Sequence, residues 1–407
     1  MQKLSSAFRA LYSGAAPAEV RAEVNGALGG IIALAETEGF SGNVWHCYIA
    51  WLLVGDENPF SHSCERRSAA RGTLTELAGA DFENVRALLH FDFSELENYT
   101  QQSFYPLLRD YTPTVSTPVG EAVSALAKAL GECGSAEEIM RLLSERYRSD
   151  GAGEFGLYTA FRLGSGAQLI PIVSLESVTL DTLVGYEVQK AQMRENIGAF
   201  AEGRPFNNML LYGDAGTGKS TSMKALLNEY SARGVRMVEV YKRQFELLSD
   251  LFETLAGRNY RFIIFMDDLS FEENEVGYKH LKAIMEGGVG SMPENVMLCA
   301  SSNRRHLVRE TWRDRNDREF DGDVHRSDTM EERLSLAERF GCQVCFSDPS
   351  RAQYHDIVLT LAERAGISMD AEALCKAADA WELRHGGVSG RTARQFINHL
   401  SAAPSED

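Results

Sequence analysis

Eight consecutive residues constrain this chain more than any other feature. Gly213, Asp214, Ala215, Gly216, Thr217, Gly218, Lys219 and Ser220 satisfy every fixed position of G-x-x-x-x-G-K-[ST]. Glycines let the backbone wrap an anion with its N–H groups pointing inward. Lys219 supplies a point charge for the outer phosphates of a nucleotide, and the Ser220 hydroxyl suits Mg²⁺. A helix starting here, with Thr221 in its first turn, aims its positive dipole end at the same anion. An apolar run, Met209 to Tyr212, precedes the loop and a helical pattern, Ser220 to Tyr230, follows it. Strand, glycine loop and helix in that order mark a phosphate-binding site rather than a chance match.

A second element supports the first. Phe262 to Met266 is a run of five apolar residues, the mark of a parallel strand buried on both faces, and it ends in Asp267 and Asp268. Central parallel strands deliver their C-terminal residues to one sheet edge, where the phosphate loop also sits. Asp267 is then placed to hold Mg²⁺ through water, and Asp268 to orient or deprotonate an attacking water.

Further strands are expected at Val235 to Tyr241, Val296 to Ala300 and Gln343 to Phe346, with helices at Phe245 to Leu255 and Tyr278 to Met285. This alternation predicts an α/β class domain with a parallel sheet over 173–349. The segment 350–407 reads as a helical lid. Residues 1–150 read as a mainly helical accessory domain: Ala18 to Ala35 carries Val20, Val24, Leu28, Ile31, Ile32 and Ala35 at helical spacing. Apolar helical candidates follow at Val44 to Val54, Phe82 to Leu89 and Val119 to Leu130. Glycines 151, 153, 156, 164 and 166 predict a linker over 151–172.

The chain has 41 Lys+Arg against 58 Asp+Glu, a formal charge of −17. That balance excludes a protein that coats nucleic acid through a broadly cationic surface. Seven scattered cysteines read as reduced thiols, not a disulfide framework. Arg9 interrupts any leader-like start, and the most apolar stretch, Val44 to Gly55, is too short to cross a bilayer. The expectation is a cytoplasmic protein with no membrane partner. His46, Cys47, His62 and Cys64 do not fall at paired zinc-ligand spacing, and Cys342-x-x-Cys345 reads as small buried hydrophobes in a strand. Tyr48, Trp51 and Phe60 read as core.

Taken together, these motifs resemble the AAA+ ATPases, a P-loop NTPase superfamily. Within it, residues 151–402 resemble a bacterial ATP-binding family catalogued as domain of unknown function 815. The segments that carry the likeness are Asn207 to Ser220, Asp267 to Phe271, Ala300 to Leu307, Ser335 to Gly341 and Ser389 to Phe396. The resemblance implies that ATP and Mg²⁺ are the cofactors and that the chain is an ATP hydrolase. It implies that Asn303 helps place the attacking water. Arg339, just before the last strand, matches an arginine finger that reaches a neighbouring subunit's nucleotide, with Arg333 as the alternative. Such a finger implies a homo-oligomer with composite sites. Arg391, in a helix that Ser389 is expected to cap, matches a lid arginine facing the phosphates, with Arg394 as the alternative. Leu183 to Tyr186, through Val184 and Tyr186, matches the segment that packs on adenine.

One departure from AAA+ proteins in general is that Asp268 stands where the acid is usually Glu. One methylene shortens its reach by about 1.5 Å, which implies slow turnover or help from Glu272 or Glu273. The stretch Asn303 to Arg318 holds six arginines, a surface for nucleic acid, an acidic partner or a self-compensated loop. Three uses of ATP stay open at this point: remodelling or loading of an unidentified macromolecular partner, a non-hydrolysing nucleotide switch, and a DNA-associated loader.

Overall fold

The computed structural model describes residues 12–67, 72–173, 175–271, 276–287, 292–303, 307 and 336–402. The arginines of 304–318, together with Arg333, Glu272 and Glu273, lie outside the described residues. The chain divides into two units, the first ending at Tyr158 and the second beginning at Thr159.

The first unit is helical: α1 (Pro17–Glu38), α2 (Val44–Gly55), α3 (Pro59–Arg67), α4 (Thr73–Leu89), α5 (Ser94–Thr100), α6 (Tyr105–Arg109), α7 (Pro118–Glu132), α8 (Ala136–Ser149) and α9 (Glu154–Leu157). α1 buries Val20, Val24, Ala27, Ile31 and Ala35, the stripe expected from helical spacing. α2 is apolar nearly all round because it runs through the middle of this core, and Asn43 caps it by accepting the His46 N–H at 3.2 Å. The Trp45 indole N–H donates to the Leu88 carbonyl at 2.7 Å, which satisfies that buried polar atom. Phe60 is buried, and Tyr48 and Trp51 pack against the same core. His46 lies against the Leu89 carbonyl, and the Cys47 thiol bonds Ser41 and Ser124. No group of three His, Cys, Asp or Glu positioned for a metal occurs among the described residues.

The second unit is built on a seven-stranded sheet: β1 (Ala160–Leu163), β2 (Leu169–Pro171), β3 (Met209–Gly213), β4 (Val235–Glu239), β5 (Arg261–Met266), β6 (Val296–Ser302) and β7 (Cys342–Phe346), in the order β2-β1-β4-β5-β6-β3-β7. All neighbours are parallel except β1 and β2. Between strands run α10 (Glu187–Ala201), α11 (Lys219–Tyr230), α12 (Leu248–Leu255) and α13 (Val276–Met285). Burial of every residue of β6, and of Phe262–Met266 in β5, explains the unbroken apolar runs in the sequence. The C-terminal part is helical, α14 (Arg351–Arg364), α15 (Ala371–His385) and α16 (Gly390–Ala402), with a small core of its own around Tyr354, Val358, Leu374, Ala378 and Phe396. No helix among the described residues is long and apolar enough to cross a membrane.

Two expectations need correction. Residues 151–172 do not form a tether. Ala152 and Phe155 are buried in the first unit, while β1 and β2 add two strands to the sheet of the second. The glycines there serve tight turns, with Gly151, Gly153 and Gly166 at positive φ. The Cys342-x-x-Cys345 pair is also split: Cys342 is buried but Cys345 is exposed, since β7 is an outer strand of the sheet. All seven cysteines are free thiols.

Candidate nucleotide site

The sheet register gathers the site. Tyr212 pairs with Ser302, and Met266 with Ala300. Gly213 at the end of β3, and Asp267 and Asn303 one residue beyond β5 and β6, therefore emerge at one edge. Three glycines of the loop hold positive φ: Gly213 at 133°, Gly216 at 80° and Gly218 at 94°. Gly213 is the most demanding, since a Cβ there would lie 2.0 Å from the Phe346 carbonyl oxygen of β7. The loop turns directly into α11, whose first N–H groups have no intrahelical acceptors. Thr217 stiffens it by donating to the Asp214 carbonyl at 2.9 Å. Asp214 and Ala215 are exposed at the loop's outer curve, and Thr221 is half-buried on α11.

Lys219 is only 7% exposed. Its ammonium donates to the carbonyls of Gly213 (3.0 Å) and Asp214 (2.7 Å) and to Oδ1 of Asn303 (3.0 Å), which uses all three protons. Burial pushes its pKa down, and Asp214, Asp267 and Asp268 pull it back up. A buried cation held by neutral oxygens is suited to exchange them for an anion.

Asp267 receives the Ser220 hydroxyl at 2.6 Å and the Ser301 hydroxyl at 2.5 Å, both on Oδ1. Asp268 accepts from the Asn303 amide at 3.0 Å. Lys219, Asn303 and Asp268 thus form one hydrogen-bonded chain across the mouth of the loop. Glycine cradle, buried lysine and paired Ser220 and Asp267 oxygens fit a Mg²⁺–nucleotide: Lys219 for phosphate oxygens, Ser220 and Asp267 for the metal.

A family model described as "Protein of unknown function (DUF815)" matches residues 157–403. The chain belongs to the DUF815 family. Its second unit is a mostly parallel α/β sheet core, with the glycine loop between β3 and α11, followed by three C-terminal helices. Among solved structures it is similar to the Thermotoga maritima RuvB Holliday junction branch migration motor, at 14% identity over 56% of this chain and 73% of that chain, with a TM-score of 0.34. A variant of the same motor gives 13% identity, 55% and 73% coverage, and a TM-score of 0.35. Scores of this size carry no weight for the site, whose description rests on its own geometry.

In this DUF815 chain the lid meets the loop directly. Ser389 caps α16 by accepting the Thr392 N–H at 3.1 Å, and the Arg391 N–H donates to the Gly216 carbonyl at 3.3 Å. Arg391, exposed, thereby stands at the loop, and its charge is among those acting on Lys219. Val184 packs into the lid core and Leu183 and Tyr186 into the sheet core, so this segment lies along the seam between them. The Tyr186 hydroxyl donates to the Ser347 carbonyl at 2.9 Å, and burial pushes its pKa up to about 12.

Arg339 is not brought to this chain's own loop. It is half-exposed and pairs with Glu286 at 2.8 Å, beyond the end of α13. Sequence reasoning missed Ser301, which joins both acids, and Asp348, whose N–H donates to the Asp214 carboxylate at 2.8 Å. Ser301 carried a readable signal: it sits two residues before Asn303, on the same side of a strand. Asp348 carried none.

Proposed function

We propose that this chain is a Mg²⁺-dependent ATPase that couples its nucleotide state to remodelling or loading of a macromolecular partner. One observation carries the reading: the hydrogen-bonded chain from Lys219 through Asn303 to Asp268, beside the Ser220 and Asp267 oxygens at the mouth of a glycine cradle.

On ATP binding Lys219 exchanges the loop carbonyls and Asn303 for β- and γ-phosphate oxygens. Ser220 and Asp267 would hold Mg²⁺, which would supply positive charge to offset that of the phosphates. Asn303, released from Lys219 but still bonded to Asp268, orients the attacking water. Asp268 takes the proton as the water oxygen bonds to the γ-phosphorus and the bond to the bridging oxygen breaks, leaving ADP and phosphate. Arg391 brings lid charge to the phosphates, so that lid position follows nucleotide state. Val184 and Tyr186 flank the base. Arg339, turned outward on its own chain, completes the site of a neighbouring copy in a homo-oligomer.

Lys219→Ala tests the assignment by titration with a fluorescent ATP analogue: binding is abolished. Unchanged affinity removes the phosphate-loop reading. Tight ATP binding by the wild-type chain without any turnover replaces the ATPase by a nucleotide switch.

A further inference from the structure

Ser301 is 2% exposed, and it spends its hydroxyl on the strand beside it. The proton goes to Oδ1 of Asp267 at 2.5 Å, and the oxygen accepts the backbone N–H of Asp268 at 2.9 Å. The main chain fastens the same junction: the Leu269 N–H donates to the Ser301 carbonyl, and the Ser302 hydroxyl to the Leu269 carbonyl, each at 2.7 Å. Between these ties Asp268 has φ of 51°, in the left-handed region that Asp and Asn tolerate better than other residues with a Cβ.

That conformation has a consequence for the two acids. Consecutive residues of a strand point to opposite faces. Here both carboxylates address one mouth, Asp267 toward Ser220 and Asp268 toward Asn303. The left-handed residue is the break in alternation that permits it.

We infer that Ser301 is a positioning residue for both acids: its hydroxyl orients the Asp267 carboxylate toward Ser220 and pins the left-handed turn that carries Asp268 to Asn303. The inference rests on the Mg²⁺–ATP reading of the site and extends it to a residue that touches neither metal nor phosphate. It also accounts for an aspartate at 268, because Asp tolerates this φ better than a longer acid does.

The test uses the full chain with Ser301→Ala, Ser301→Thr, Asp268→Asn and Asp268→Glu. Steady-state turnover is measured against Mg²⁺ concentration, and fluorescent ATP analogue binding without Mg²⁺. In Ser301→Ala the Mg²⁺ needed for half-maximal activity rises, and kcat falls, by about 10–100-fold each, the usual effect of removing a group that orients a metal ligand. Metal-free binding stays at the wild-type level, because Lys219 and the loop amides hold the phosphates; a merely damaged fold lowers both. Ser301→Thr restores the hydroxyl and recovers activity. A folded Ser301→Ala with wild-type kcat and Mg²⁺ dependence, or a loss that Ser301→Thr leaves unrepaired, overturns the inference while the ATP reading stands. The backbone part is read separately, by melting without nucleotide, so it is decided even if the wild-type chain neither binds nor hydrolyses ATP and that reading falls. Asp268→Glu melts about 2–4 °C below Asp268→Asn. Equal melting of the two overturns the inference.

Discussion

Gly213→Ala probes how tightly the phosphate loop is built onto the sheet. Gly213 has φ of 133°, and a Cβ there would lie 2.0 Å from the Phe346 oxygen, 2.6 Å from its carbonyl carbon and 3.0 Å from its nitrogen. An ordinary carbon–oxygen contact is about 3.3 Å, so the two chains must part by roughly 1 Å. The neighbours are backbone atoms of the paired strand and have no rotamer to yield. Parting breaks the Asp214 N–H bond to the Phe346 carbonyl, now 2.9 Å. Backbone strain of about 1–3 kcal/mol, with about 0.5–1.5 kcal/mol for the hydrogen bond, gives a loss of roughly 2–4 kcal/mol. At about 2–4 °C per kcal/mol for a unit of this size, the second unit melts roughly 4–16 °C lower. Gly386→Ala is the control: φ is 97°, but nothing lies within 4 Å of its Cβ, so only backbone strain of about 1–2 kcal/mol applies. Calorimetry of both variants separates clash from strain. A Gly213→Ala protein that melts with or above Gly386→Ala, and binds ATP as the wild type does, refutes the reasoning.

Three further outcomes are expected. Asn303→Ala lowers kcat about 10²-fold while ATP affinity changes little, since Asp268 loses its orienting amide but the loop remains; single-turnover kinetics read the split. Arg339→Ala retains ATP binding and loses turnover only where copies associate, and size-exclusion mass measurement of the wild type with ATP checks this, a strict monomer counting against it. Burial pushes the Cys47 thiol from 9.0 to about 11, so the folded chain holds a proton that the unfolded chain releases. Its contribution is therefore intact below pH 9 and is lost as pH rises through 11, on the order of 2–3 kcal/mol; Cys47→Ala flattens that alkaline slope in urea titrations.

Much of the site was legible because its parts are local. The loop glycines, Lys219 and Ser220 stand in one octapeptide, and Asp267 and Asp268 end a strand whose apolar run announces it. Asn303, Arg391 and the capping Ser389 came from order along the chain rather than from physics. The strands at Ala160–Leu163 and Leu169–Pro171 were not legible: each is short and lies among glycines, and the first takes its place from Met237–Glu239, far along the chain, while the second pairs with the first. Cys345 read as buried because an apolar strand does not say that it lies at the edge of its sheet.

Sequence alone determined that a phosphate loop, a strand ending in acids and a helical tail are present, because each is written in residues a few positions apart. Tertiary structure decided how they cooperate. Register between β3, β5 and β6 set Lys219, Asn303 and Asp268 in one hydrogen-bonded chain, and the hydroxyl of Ser301 joined the two acids. The Asp214 carboxylate came to hold Asp348, just before the C-terminal helices, and the Gly216 carbonyl the first turn of the last of them at Arg391. Those contacts span 33 to 175 residues of sequence, read from 268 to 301 and from 216 to 391. At such separations the partner of a polar group is chosen by sheet order and strand register, which no local pattern of residues encodes.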